Sequence, residues 1–130
     1  KEEMKMIDET RKILSEPDLR VTATTIRVPV YRSHAESVNI EFAQEVTVEA
    51  ARSAIDAFPG ARLNDNPDEQ AYPMPLFTSG KDDVEVGRIR RDESVEHGLN
   101  LWVCGDQIRK GAALNALQIA EYMMKHDMLR

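Results

Sequence analysis

One cysteine, Cys104, is all that the 130 residues contain. A single thiol excludes an intrachain disulfide framework and any multi-cysteine zinc site, so a reducing, cytoplasmic setting is the expectation. No apolar run approaches the roughly 18 residues that a membrane span requires. Clustered positive charge is missing too. With 17 Lys+Arg against 23 Asp+Glu the formal net charge is -6, and the densest basic run, Arg88-Ile89-Arg90-Arg91, is followed at once by Asp92 and Glu93. That balance argues against a nucleic acid or an anionic membrane as partner, since either needs a basic field. Internal repeats and low-complexity tracts are lacking as well. No leader is expected, because Glu2 to Ser15 already reads as a helix with an apolar stripe of Met4, Ile7 and Leu14. Without an initiator Met before Lys1, the chain reads as a piece of something longer.

What is present is one modest core's worth of apolar residues, 42% of the chain, arranged as alternating helix and strand patterns. Pro17 ends the first helix near Ser15. Leu19 to Tyr31, rich in Val, Thr and Ile, reads as a strand. Val38, Ile40 and Phe42 alternate with Asn39 and Glu41, which predicts a second strand with one wet face, paired antiparallel with the first. Thr47 caps a short helix whose apolar residues Val48, Ala51, Ile55 and Phe58 stop at Pro59-Gly60. Four prolines or glycines between Arg62 and Lys81 predict a long irregular loop. Val84 to Arg90 and Leu99 to Cys104 are expected as two more strands, joined by the polar turn Asp92 to Gly98. Asp106 is a plausible N-cap for a closing helix that runs to about His126. The fold class is therefore α+β, a mixed, largely antiparallel sheet with helices packed on one face. The closing helix is apolar over about half of its circumference, since Ala113, Leu114, Ala116, Ile119 and Met123 widen its stripe, and this asks for a partner.

Few residues carry chemical potential. His34 sits beside the break at Arg32-Ser33, where an imidazole reaches a cleft and can move protons near neutral pH, although a loop histidine is more often plain surface. Arg27, inside an apolar β run, either snorkels to water or holds a carboxylate or phosphate. Seven residues apart on a strand, the two would face opposite ways unless Pro29 or the Arg32-Ser33 break bends the chain. Glu2 and Lys5, at i,i+3, read first as a weak solvated ion pair. Cys104 reads as a small buried hydrophobe with no base beside it.

A resemblance changes these weights. The run Ile26-Arg27-Val28-Pro29-Val30-Tyr31-Arg32-Ser33-His34-Ala35-Glu36-Ser37-Val38-Asn39-Ile40-Glu41-Phe42 resembles the substrate-site segment of bacterial aspartate-semialdehyde dehydrogenases. So do Glu2-Glu3-Met4-Lys5 with Glu9 to Leu14, Val86-Gly87-Arg88-Ile89-Arg90, and Leu101-Trp102-Val103-Cys104-Gly105-Asp106-Gln107 onward to Glu121, in that order. The resemblance implies an NADP-dependent step toward lysine, threonine and methionine, in which β-aspartyl phosphate is reduced to aspartate semialdehyde through a cysteine thioester. It implies that His34 is the catalytic acid/base, that Arg27 grips the substrate carboxylate, that Glu2 meets the substrate ammonium and that Lys5 contacts phosphate. Gln107 corresponds to a cofactor-binding residue near the nicotinamide. Cys104 does not match the catalytic cysteine. Residues 1–105 would be the C-terminal part of the catalytic and dimerisation domain, and 106–130 the helix that returns to a nucleotide-binding domain lying outside this sequence. A homodimer is expected, and the 130 residues alone are expected to be inactive. The alternatives are the related N-acetyl-glutamyl-phosphate reductases, whose acetylated substrate lacks the free ammonium that an acidic contact such as Glu2 suits, and a non-enzymatic dimerisation module.

Overall fold

A computed structural model describes residues 1–128. The elements run α1 (Glu2–Leu14), β1 (His34–Glu41), α2 (Val48–Asp56), β2 (Ala61–Leu63), α3 (Pro75–Thr78), β3 (Val84–Asp92), β4 (Gly98–Gly105) and α4 (Leu114–Lys125), with a 3-10 turn at Pro67–Glu69. Four strands form one sheet in the order β1-β4-β3-β2. β4 pairs antiparallel with β1 and with β3, while β2 runs parallel to β3. The α+β class and the mixed, largely antiparallel sheet are as the sequence pattern predicts.

The hairpin β3-β4 holds the core, because its strands lie in the middle of the sheet and carry the most apolar side chains. Val86, Ile89, Leu99 and Cys104 are buried there. Asp92 shapes its turn, accepting hydrogen bonds from the backbone N–H and hydroxyl of Ser94 at 2.9 and 2.7 Å. The Trp102 indole donates to the Pro73 carbonyl at 3.0 Å, which fastens the 64–81 connection onto the sheet. Glu85 is buried beneath that connection and accepts from Asn64 Nδ2 at 2.8 Å and Lys81 Nζ at 2.9 Å. Burial pushes its carboxyl up, but those two bonds and the Lys81 charge outweigh it and hold the group below the usual carboxylate range. α2 packs on β2 and β3, and α3 on β4. Thr47 caps α2 as expected, its hydroxyl accepting from Ala50 N at 3.1 Å.

Three expectations are corrected. Leu19 to Tyr31 forms no strand. Its β-branched residues have the propensity, yet propensity alone does not make a strand: β1 begins only at His34 and pairs with β4, and the earlier run takes no ladder place on the outer edge that β1 leaves open. Ile26, Val28 and Val30 stay exposed, and Pro29 has no N–H to give a ladder. Arg62 to Lys81 is not wholly irregular, since it contains most of β2, the 3-10 turn and α3. The closing helix does not start at Asp106. One turn forms there, with Arg109 N and Lys110 N bonded to the Asp106 carbonyl at 3.0 and 2.9 Å, and the chain then breaks at Lys110 to Ala112. Gly111, at φ +95°, makes the break possible, and α4 begins only at Leu114. Its apolar coverage is as broad as expected, and Leu117, Ile119, Tyr122 and Met124 are all more than half exposed. The last two positions of the 106–130 segment, 129 and 130, lie outside the described residues. No helix described is long and apolar enough to cross a membrane.

Candidate functional site

His34 opens β1 and pairs in register with Gly105, the last residue of β4. The residue before His34 and the residues after Gly105 therefore meet at one end of the sheet. Ser33 is there, 3% exposed and at φ +75°. A side chain in the left-handed region costs on the order of 1–3 kcal/mol and persists only where its surroundings over-determine it. They do so here. Ser33 N–H donates to Gln107 Oε1 at 2.9 Å. Its Oγ lies 3.0 Å from Thr78 Oγ1 and 3.3 Å from Ser79 Oγ, at the end of α3.

Asp106, fully buried, ties the same corner together. Its Oδ2 accepts from Arg32 at 2.6 Å and from Gly80 N at 2.6 Å, and its Oδ1 accepts from Ile108 N at 2.9 Å. The Gly80 N–H bond comes first in holding the carboxyl below its usual range, against the pull of burial, and the Ile108 N–H and the Arg32 guanidinium add to it. So Asp106 and Gln107, adjacent in sequence, hold Arg32 and Ser33, also adjacent, immediately ahead of His34. The His34 ring itself stays exposed. Because Gln107 Oε1 faces the Ser33 N–H, its amide nitrogen is turned the other way as a donor.

Glu2, Lys5 and Arg27 lie on a second assembly. α1 is tied to the extended run by Arg11 Nε, which donates to the Leu19 carbonyl at 3.0 Å, and by Glu3. Thr25 donates to Glu3 Oε1 through its hydroxyl at 2.5 Å and its N–H at 3.3 Å. These bonds, the hydroxyl first, hold the Glu3 carboxyl down at about 2. They tie Thr25, two residues before Arg27, to the helix that carries Glu2. Glu2 and Arg27 are exposed. Lys5 pairs with Glu9 at 4.0 Å instead of with Glu2, an exposed i,i+4 contact of little energetic weight. No hydrogen bond among the described residues joins this assembly to the His34 corner. The chain between Arg27 and His34 does bend, at Pro29, Tyr31, Arg32 and Ser33, so the strand-parity objection to their convergence does not apply.

A cleft of about 330 Å³ opens beside Arg109, two residues past Gln107. Its walls carry Arg62, Lys81 and Arg109 against Asp82, Asp83 and Glu85, so it is charge-balanced. Lys81 is paired with Glu85 at 2.9 Å and Arg109 with Asp82. Cys104 is buried, and burial pushes its thiol up to about 11, the opposite of what a nucleophile needs. The sequence reading singles out His34 and Gln107 as candidates but not the residues that hold the segments around them. Asp106 is legible only as a helix cap, a duty it performs for Ile108 N while also anchoring two other segments. Nothing in the local sequence marks Ser33 as left-handed or Thr78 as its partner.

Known proteins resemble this chain closely. Residues 1–110 match the family model described as semialdehyde dehydrogenase, dimerisation domain. The chain is 56% identical over 128 residues to an aspartate-semialdehyde dehydrogenase of Synechocystis sp., covering 98% of this chain and 38% of the relative. Against the enzyme of the same name from Aquifex aeolicus it is 47% identical over 129 residues, covering 99% of this chain and 38% of the relative. Its fold superposes on the crystal structure of aspartate semialdehyde dehydrogenase II from Vibrio cholerae with a TM-score of 0.90 at 42% identity, over 96% of this chain and 37% of that one. The chain thus spans well under half the length of the relatives it matches.

Proposed function

The chain belongs to the semialdehyde dehydrogenase family, as its dimerisation domain, and we propose that the protein it is part of is an aspartate-semialdehyde dehydrogenase. The observation that carries this is 56% identity, sustained over 98% of the chain, to an enzyme of that name. The reaction is the NADPH-dependent reductive dephosphorylation of β-aspartyl phosphate to aspartate semialdehyde, in the cytoplasm, by a homodimer. Its nucleophile is a cysteine outside these residues, and Cys104, buried with its thiol pushed up, has no part in it.

His34 acts as the acid/base. Its imidazole protonates and deprotonates the atoms that change charge as the thioester forms and resolves, and its exposure at a sheet end leaves it open to a substrate. Arg27 holds the substrate carboxylate with a two-pronged guanidinium, Glu2 meets the ammonium, and Lys5 contacts the phosphoryl group as a point charge. Their exposure and the tether from Thr25 to α1 support that joint role. For NADPH the residues present fit the nicotinamide end only. Gln107, its oxygen held by Ser33 N, offers an amide N–H beside His34 to a carboxamide-bearing ring. When bound, NADPH supplies the hydride.

The test is NADPH oxidation by the full-length parent protein with β-aspartyl phosphate and with N-acetyl-glutamyl phosphate as competing substrates. Turnover of the first and not the second is expected. Preference for the acetylated substrate would assign the parent to the related reductases.

A further inference from the structure

We propose that Asp106 is a positioning residue for His34, acting through Arg32 and the left-handed Ser33, an inference that rests on the acid/base role of His34 given above. Two distant segments and the turn that follows Asp106 converge on this carboxylate. Arg32, just before the site, donates to Oδ2 at 2.6 Å, Gly80 N of the turn after α3 donates to the same oxygen at 2.6 Å, and Ile108 N donates to Oδ1 at 2.9 Å. The side chain is 0% exposed while that of Arg32 is 41% exposed, so the anion is fixed inside and its partner reaches in from outside. A buried carboxylate with charge-assisted bonds keeps its geometry far better than a solvated one.

The link to His34 is short. Arg32 is clamped by Asp106, and Ser33 is clamped by Gln107 and by Thr78 on the segment that Asp106 holds at Gly80. Ser33 at φ +75° sets the angle at which the chain enters β1, and the first side chain of β1 is His34. Were the clamp released, Ser33 would relax toward negative φ, where a serine is more comfortable. The His34 Cα would keep its place opposite Gly105, but the Cα–Cβ direction would turn. A proton donor displaced by an ångström costs on the order of a hundredfold in rate while leaving ground-state binding nearly intact. The expected signature of losing Asp106 is therefore a fall in kcat without a matching rise in KM.

The experiment uses the full-length parent, with Asp106→Asn, Arg32→Gln and the double variant. Asp106→Asn keeps the shape but turns an amide toward either Arg32 and Gly80 N or Ile108 N. Arg32→Gln leaves the buried carboxylate with its two backbone donors and serves if Asp106→Asn does not fold. Each single variant is expected to lower kcat of the folded enzyme about tenfold or more, with KM for β-aspartyl phosphate within about twofold. The double variant is expected to be no worse than the lower single, because both break one link. The Ser33 amide, protected by Gln107, is expected to exchange its hydrogen faster in every variant. A kcat within about twofold of wild type, a rise in KM alone, or effects that multiply in the double variant would overturn the proposal. Should the wild-type parent turn over neither acyl phosphate, the functional reading falls. The clamp on Ser33 is then judged by amide exchange alone, where faster exchange supports it and an unchanged rate overturns it.

Discussion

Replacing Gly87 by alanine is the most direct probe of how the sheet is held against the 64–81 connection. Gly87 pairs with Trp102 across β3 and β4, and a Cβ added to it would overlap the Asn64 carbonyl oxygen and come within 2.7 Å of Pro73 Cδ. Neither obstacle is the end of a flexible side chain. The Asn64 backbone is fixed by its own N–H bond to the Val86 carbonyl at 2.9 Å, and Pro73 by the Trp102 indole. Overpacking costs typically 1–3 kcal/mol, and with backbone as the obstacle the upper end applies, about 3 kcal/mol. Gly111→Ala is the control, because nothing lies within 4 Å of its added methyl and only the strain at φ +95° remains, about 1–2 kcal/mol. Native-state hydrogen exchange of the full-length parent reads both, and Gly87→Ala should speed exchange across β3 and β4 by about a hundredfold. Gly87→Ala costing no more than Gly111→Ala would refute the packing argument.

Two further outcomes follow from titration. The Glu3 carboxyl is held at about 2 against an ordinary 4.5, so the tether from α1 to Thr25 is fully present above about pH 4.5 and is lost as pH falls through about 2; the Thr25 amide resonance should shift across that window and in Glu3→Gln, and a resonance unmoved by acid would contradict the tether. Cys104, its thiol pushed up to about 11 by burial, should resist alkylation at about pH 8 in the folded protein and react once unfolded, as peptide mass mapping would show. Labelling of the folded protein at the rate of a free thiol would contradict the burial.

Secondary structure was legible in the sequence where local pattern and tertiary context agree. The β3-β4 hairpin, the Thr47 cap and the ends of α1 follow from alternation, capping and Pro17, all short-range devices. Leu19 to Tyr31 carries as strong a β signal, yet a strand is completed by its neighbour, and which runs pair is decided by the whole sheet. Gly111 breaks the closing helix because it adopts a positive φ, which a helical apolar stripe running straight through it conceals. At the site, residue type alone singles out His34 and Arg27 as candidates, and the ordered motifs add Glu2, Lys5 and Gln107. The clamp of Asp106, Ser33 and Thr78 joins positions up to 74 apart in the chain, and no local pattern reports such a meeting.

His34→Asn in the full-length parent, assayed by NADPH oxidation with β-aspartyl phosphate, tests the account most directly. Asparagine is close to the imidazole in size and can hydrogen-bond, but it cannot carry a proton at neutral pH. The account predicts that kcat falls by about 10²–10⁴ while KM stays within a few-fold. A kcat within about threefold of wild type would contradict it, and the exposed histidine at the head of β1 would then be surface and nothing more.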